Sequence, residues 1–511
     1  MLSIHRVISP PLWRTLRRGR VRTTRRKNTL NRRKKVQTSI NQKVPATAAA
    51  RLERLPVTWL TWRIVLLAGL AWFTEALSIG SLGASLPALK ATMGLTPSDV
   101  GLLVAAQTLG VVFGLVPAGR LADKFGRKRV LIGGIIGYSM FTFLCGFAAG
   151  FHSLLFIRFL AGVGMGSIFP LPYAIVCEFV RKNHRTMFNG FMDACLSVGY
   201  LLAPLLGFLV FPHFSADVSW RVFFMLASAP IFYIWFIYKY LPESPRWLER
   251  NGRMAEADAI LSEMERGAEK KLGHALPPLA EVPVVPTGAA SLQAIAGILG
   301  PRLIGRTIAR CISATGVFFM FYVVMSYMPT IFVAGGYKFA TSLLFTAIII
   351  GASIPGKLLN GWFGEKFGRR AAYVVFMGIA GAGALLFSVA GSVFGAVGFA
   401  CIMSFFGLGA FPSLKMSMAE QYPMALRTTG AATIESVARL FGGVVGSYSL
   451  PLLLHTYGVG VSFATIAVVA FIGVATELTS TIETKGKTLE QLEGEVQQVA
   501  APFGQPVRSD A

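Results

Sequence analysis

The sequence predicts an all-α membrane protein with twelve transmembrane helices arranged as two pseudo-symmetric six-helix bundles. Three observations lead there. Of 511 residues, 54% are hydrophobic and only 14% charged, whereas a domain folded in water carries about a quarter charged residues. Apolar runs of about twenty residues, the length that crosses the hydrocarbon core, recur along the chain. A single offset of 242 residues also lays the second half of the chain on the first.

The chain opens on a basic segment. Before Trp62 there are sixteen Lys/Arg against the single acid Glu53, with no apolar periodicity, so residues 1–61 are expected to form a disordered cytoplasmic tail. This segment carries much of the net charge of +25, so the charge does not call for a nucleic-acid partner. A tail drawn to anionic lipid, an organellar targeting segment and an extension upstream of a later start all fit its composition.

The spans follow, near 63–88, 100–119, 129–150, 154–178, 188–212, 221–240, 308–332, 341–362, 371–390, 394–418, 429–453 and 459–479. The first six make a bundle over 62–241 and the last six a bundle over 307–480. Between them, 242–306 is a central loop, and 481–511 is a second tail. Within the loop, Arg253–Lys271 has the pattern of a charged amphipathic helix, followed by a Pro-rich tether. The loops alternate in charge. Arg120, Lys124, Arg127, Lys128 and Arg129 follow the second span, and Lys366, Arg369 and Arg370 follow the eighth, while the opposite loops are almost uncharged. The positive-inside rule then places both termini in the cytoplasm, as expected of a multi-pass protein of the cell membrane.

The repeat carries chemistry. Gly119, Lys124, Phe125, Gly126 and Arg127 return as Gly361, Lys366, Phe367, Gly368 and Arg369, and Asp123 is answered by Glu365. The same offset takes Glu178 to Glu420, Arg185 to Arg427 and Asp193 to Glu435. Two such halves can rock about a shared midplane site. The segment Gly119–Arg129, GRLADKFGRKR, resembles the loop between helices two and three of the major facilitator superfamily. Arg158, Gly162, Gly164 and Gly166 resemble that family's helix-four motif. Glu243 with Arg246, and Glu483, resemble the cytoplasmic motifs of its sugar-porter and organic-acid branch. The resemblance implies an alternating-access transporter. In it Asp123, Arg127, Glu178, Arg185, Glu243, Arg246, Glu365, Arg369, Glu420, Arg427 and Glu483 act as conformational latches at helix ends.

Two departures bear on the solute. Hexose porters carry a Gln pair and an Asn in helix seven, where this chain has Ile312, Ser313, Gly316 and Phe318, then Phe319, Phe321 and Tyr322. Aromatic walls favour a flatter, less hydroxylated solute. Organic-acid porters often carry two Asp in helix one, where this chain has Glu75 and Ser78.

An ionisable group inside a span is expensive unless paired or wetted, which makes each one a functional candidate. Glu75, Asp193 and Arg158 are the candidates for proton coupling, with Arg158 the expected partner of Glu75. Arg439, Glu435, Lys415, Phe318, Phe319 and Tyr322 are the candidates for substrate binding. Glu435 and Arg439 share a helix face and can neutralise one another. Arg310 is expected to snorkel at the mouth of helix seven.

The five cysteines have no metal-ligand spacing. Gly351–Lys357 matches the start of a phosphate loop, but Leu358 replaces its Ser/Thr and the segment lies in an apolar run. No catalytic site, metal or cofactor is expected. The expected partners are a small-molecule substrate, protons and the lipid bilayer, bound by a monomer. Proton-coupled symport of a small organic acid, preferably aromatic, is the favoured reading. Efflux of a drug or organic cation by proton antiport, sugar transport, and a transporter-like sensor are the alternatives.

Overall fold

The computed structural model describes residues 47–181, 184–279, 296–301, 303–422, 426–480 and 483. The basic segment before residue 47, the Pro-rich tether at 280–295 and the second tail beyond 483 lie outside the described residues.

Among the described residues, eleven helices are long and apolar enough to cross a bilayer. Spans 1 to 5 are Trp59–Met93, Pro97–Phe125, Arg127–Cys145, Phe151–Phe179 and Arg185–Val210. Spans 6 to 10 are Ala216–Tyr240, Ile304–Ala334, Phe339–Phe367, Arg369–Ser388 and Val393–Met418. The eleventh helix, Thr429–Ser480, is 52 residues long and breaks at Gly458, whose φ of 77° and ψ of −178° are open to glycine alone. Residues 429–457 and 459–480 are therefore spans 11 and 12, and the chain has its twelve helices in two halves of six.

Local chemistry sets the helix ends. Thr58 and Thr61 form a capping box at the start of span 1, as do Thr96 and Asp99 at span 2, where Pro97 occupies the first turn. Gly126 and Gly368, equivalent in the repeat, have φ of 98° and 108° and turn spans 2 and 8 sharply into spans 3 and 9. A Cβ at either would collide with a carboxylate, Glu243 at the first and Glu483 at the second.

The glycine run of span 4 is a packing device. Gly162 and Gly166 lie against span 2 at Gln107, Gly110 and Val111, while Gly164 faces Tyr138 of span 3. The backbones approach to where no Cβ would fit, which is how membrane helices gain dispersion energy without a hydrophobic drive.

Between the halves, span 5 packs along span 8, span 1 against span 7, and span 2 against span 11. At the end away from the loops after spans 2 and 8, Gly83 abuts the backbone of Met325 and Ser326, and Gly101 abuts Tyr448. Spans 7 and 11 each contain a π-helical turn, Val323–Tyr327 and Arg439–Val445, tied by a hydrogen bond from the Tyr327 hydroxyl to the Ser447 carbonyl at 2.6 Å. Such turns often mark functional positions in helices.

The central loop forms two helices, Pro245–Arg250 and Met254–Leu272. The second buries Ala257, Leu261, Met264 and Ala268, the single face expected of an amphipathic helix. A difference appears just before span 1, in a stretch read as disordered tail. Residues Ala48–Glu53 are a helix capped by Thr47. Arg51 donates to both oxygens of Glu265, at 3.0 and 2.7 Å, and reaches Asp258 and Ser262, while Arg54 adds a bond to Glu265 at 2.6 Å. The charge pattern of the tail hid these two arginines among fourteen others.

Candidate functional site

A small cavity lies between the halves, lined by Asp193, Lys357, Lys415 and Arg439 and by the rings of Phe169, Tyr200, Phe318, Phe321 and Phe411. Its volume is about 30 Å³, room for a water or two. An organic solute needs the halves to part.

Each charged group has its own setting. The Lys415 ammonium lies 3.2 Å from Asp193 and 3.3 Å from the Tyr173 hydroxyl, 5.0 Å above the Trp72 ring. Spans 1, 4, 5 and 10 thus converge on one cation. Arg439 bonds Glu435 at 2.8 Å, one turn back on its own helix, and its guanidinium stacks on Phe169 at 3.8 Å and Phe318 at 5.0 Å. The π turn begins at Arg439, so the helix widens where this side chain projects. Lys357 of span 8 donates to the Ser197 hydroxyl at 2.7 Å and, among the described residues, is bonded to no carboxylate. Three cations therefore meet two acids, each acid already committed to one cation. Rings lie at cation–π distance from all three.

Glu75 lies outside the cavity wall and is fully buried, with neither carboxylate oxygen hydrogen-bonded. Around it, Tyr138 donates to Thr74, and Ser78 bonds Thr142, both at 2.9 Å. A carboxyl enclosed in this way is far less costly neutral than ionised.

At the loop end, Arg127 bridges Asp123 at 2.8 Å and Glu178 at 3.0 Å. Glu243 accepts from the backbone N–H groups of Arg127, Lys128 and Ser244, at 2.9, 3.2 and 3.1 Å. The repeat builds a similar knot: Arg369 is ion-paired with Glu420 at 3.0 Å, and Glu483 accepts from the N–H groups of Arg369 and Arg370 at 3.0 and 3.1 Å. Charge-assisted bonds of this type are strong and directional.

The pattern that defines the Major Facilitator Superfamily matches residues 61–356. The niacin transporter NiaP of Acinetobacter baylyi is 30% identical over 449 residues, covering 87% of this chain and 99% of that protein. The chain belongs to the major facilitator superfamily. The benzoate transport protein of the same organism is 25% identical over 430 residues, covering 81% of this chain and 88% of that one. In fold, the chain is similar to the xylose transporter XylE of E. coli in a partially occluded inward-open conformation. The TM-score is 0.68 at 18% identity, covering 84% of this chain and 99% of XylE. It is a multi-pass membrane transporter.

Within this major facilitator fold, several expected placements change. Arg158 does not meet Glu75. It sits seven residues from the start of span 4, roughly 10 Å in from that end, where its guanidinium lies 4.1 Å over Phe224 and reaches Gln107 at 3.4 Å. Phe318 lines the cavity together with Phe321, but Phe319 and Tyr322 do not. One residue further round the helix, they turn to span 11, packing on Gly446 and Gly443. Arg310 does not snorkel. It is fully buried, paired with Glu477 of span 12 and bonded to Ser417 of span 10. Among the described residues Glu365 has no bonded partner, unlike its counterpart Asp123. Arg246 lies on the helix Pro245–Arg250 beside the first knot. The side chains of Arg185 and Arg427 lie outside the described residues.

Two residues escaped sequence reasoning. Lys357 was visible only as the lysine of a false phosphate loop, although a lone cation well inside a span is itself a signal. Glu477 is the only acid in span 12, and an acid there calls for a buried cation.

Proposed function

We propose that this transporter is a proton-coupled symporter of a small, flat monocarboxylate, an aromatic acid of the size of niacin or benzoate, working as a monomer in the cell membrane. The observation that carries the reading is the cavity: three cations against two acids, with aromatic rings on the remaining walls. Lys357, which among the described residues is bonded to Ser197 and to no carboxylate, is the landing point for the solute carboxylate, with Arg439 and Lys415 flanking it. Phe318, Phe321 and Phe411 cover the ring. Glu75 carries the coupled proton, because an incoming anion and an incoming proton together add no net charge to the membrane interior. Asp193 acts with Lys415 as an inner gate. The two helix-end knots alternately hold and release the halves, and the basic loops that carry them face the cytoplasm together with both termini. The relatives that transport niacin and benzoate support the solute class.

The test is uptake into proteoliposomes of labelled niacin, benzoate, xylose and an amphipathic cation, with and without an inward proton gradient. Accumulation of the aromatic acids alone, abolished by a protonophore, is the expected result. Gradient-driven export of the cation would favour antiport instead.

A further inference from the structure

A second cavity, of about 420 Å³, opens on the outer wall of the first half between spans 2, 3 and 4. Its floor is small or apolar, formed by Gly114, Pro117, Gly134, Gly164 and Ser167, and Leu121 and Phe125 form its exposed flank. It runs from Gly114 to the loop end of span 2, roughly 16 Å. At that mouth stands Arg129, solvent-exposed, which among the described residues has neither an acid nor a carbonyl bonded to it.

The repeat supplies an internal control. At the same offset of 242, Leu121, Gly134 and Gly164 become Phe363, Phe376 and Phe406. In the second half these rings fill the equivalent place, with Phe376 packed 6.1 Å from Phe363 and 5.1 Å from Phe406. Arg129 becomes Ala371 and Gly133 becomes Val375. The fold therefore does not require the groove, and the cation disappears together with the space.

We propose that this groove is a binding site for an anionic phospholipid, one acyl chain lying between spans 2 and 4 and the headgroup phosphate held by Arg129. Acyl chains are what covers an apolar face inside a bilayer. Selectivity comes from the headgroup, because an unpaired guanidinium at the interface forms charge-assisted bonds to phosphate, and Arg120 and Lys124 add positive charge nearby.

Native mass spectrometry of the purified full chain tests this, using mixed micelles containing phosphatidylglycerol or phosphatidylcholine. The wild type is expected to retain one phosphatidylglycerol in preference to phosphatidylcholine. Arg129→Gln should lose that preference, with retention about tenfold weaker, while Arg120→Gln keeps it. A Cβ at Gly133 meets nothing within 4 Å, so Gly133→Leu fills the groove without disturbing helix packing and should lose both lipids. Equal retention of the two lipids by the wild type, or wild-type retention by Arg129→Gln, overturns the proposal. Both measurements are independent of the transported solute.

Discussion

The Lys415 ammonium on span 10 lies 3.2 Å from the Asp193 carboxylate on span 5, so one ion pair joins the two halves in the cavity wall. Tyr173, on span 4, is bonded to both. The repeat places Glu435 where Asp193 stands in the first half, yet Glu435 pairs within its own helix, with Arg439. One acid of the pseudo-symmetric set thus bridges the halves and the other does not.

If this pair is a gate, its members fail differently. Asp193→Asn leaves Lys415 charged and free for the solute, so KM should stay level or fall while turnover drops about tenfold. Lys415→Met removes an attractive charge, and KM should rise by a similar factor. The double variant should be less impaired than the product of the two, since they share one interaction. Independent effects, measured as initial uptake rates, would remove the gate from the mechanism.

Lys357 gives a sharper test of charge selection. Lys357→Met should raise KM for niacin or benzoate at least tenfold, about 1.4 kcal/mol, with little effect on a neutral amide analogue. Lys357→Arg should recover part of the affinity, since it restores charge with altered geometry. Equal loss for the acid and the amide would make Lys357 structural.

Much of this architecture was legible. The twelve spans follow from apolar run length, the knots from two copies of one charged motif, and the Glu435–Arg439 pair from its i,i+4 spacing. Partners across space were not legible. The Arg158 and Glu75 pairing failed because helix depth, set by where each span enters the bilayer, separates residues that motif logic brings together. Arg310 was misplaced because its partner Glu477 lies 167 residues away, on a helix with no motif to flag it. Phe319 and Tyr322 were misassigned by a rotation of one residue.

The two knots are unequal, and the inequality is measurable. Asp123 is bonded to Arg127, whereas Glu365 stands exposed without a partner. Asp123→Asn should slow reorientation several-fold in a rate-resolved exchange assay, and Glu365→Gln should leave it within experimental error. Equal slowing by both would mean that Glu365 acts in another conformation.

The clip ahead of span 1 should respond to pH. Burial alone would raise the Glu265 carboxyl, but hydrogen bonds from Arg51 and Arg54 outweigh it and hold its pKa below the ordinary carboxylate value. A group depressed in this way stabilises the folded state fully above the unfolded value, about 4.3, and loses that contribution as pH falls through the lowered value. Hydrogen exchange in residues 48–55, taken relative to the intrinsic rate at each pH, should therefore be slow at neutral pH and quicken only below pH 4. In Glu265→Gln it should be fast at pH 7 as well.

Glu75 bears the most exposed expectation. It is the only acid in span 1, it is enclosed on all sides, and neither oxygen has a bonded partner. A carboxyl so placed has two acceptable states: neutral while the cavity is closed, and ionised when the halves part and water or a cavity cation reaches it. Under the proposed function, an anion bound at Lys357 and Arg439 would disfavour the ionised state further, and so tie solute to proton. Glu75→Gln keeps the shape but cannot ionise, so accumulation against a gradient should vanish while exchange of labelled for unlabelled solute continues. Glu75→Asp should accumulate weakly, with a displaced pH optimum. Wild-type accumulation by Glu75→Gln would make Glu75 structural and pass the coupling role to Asp193, the acid in the cavity wall.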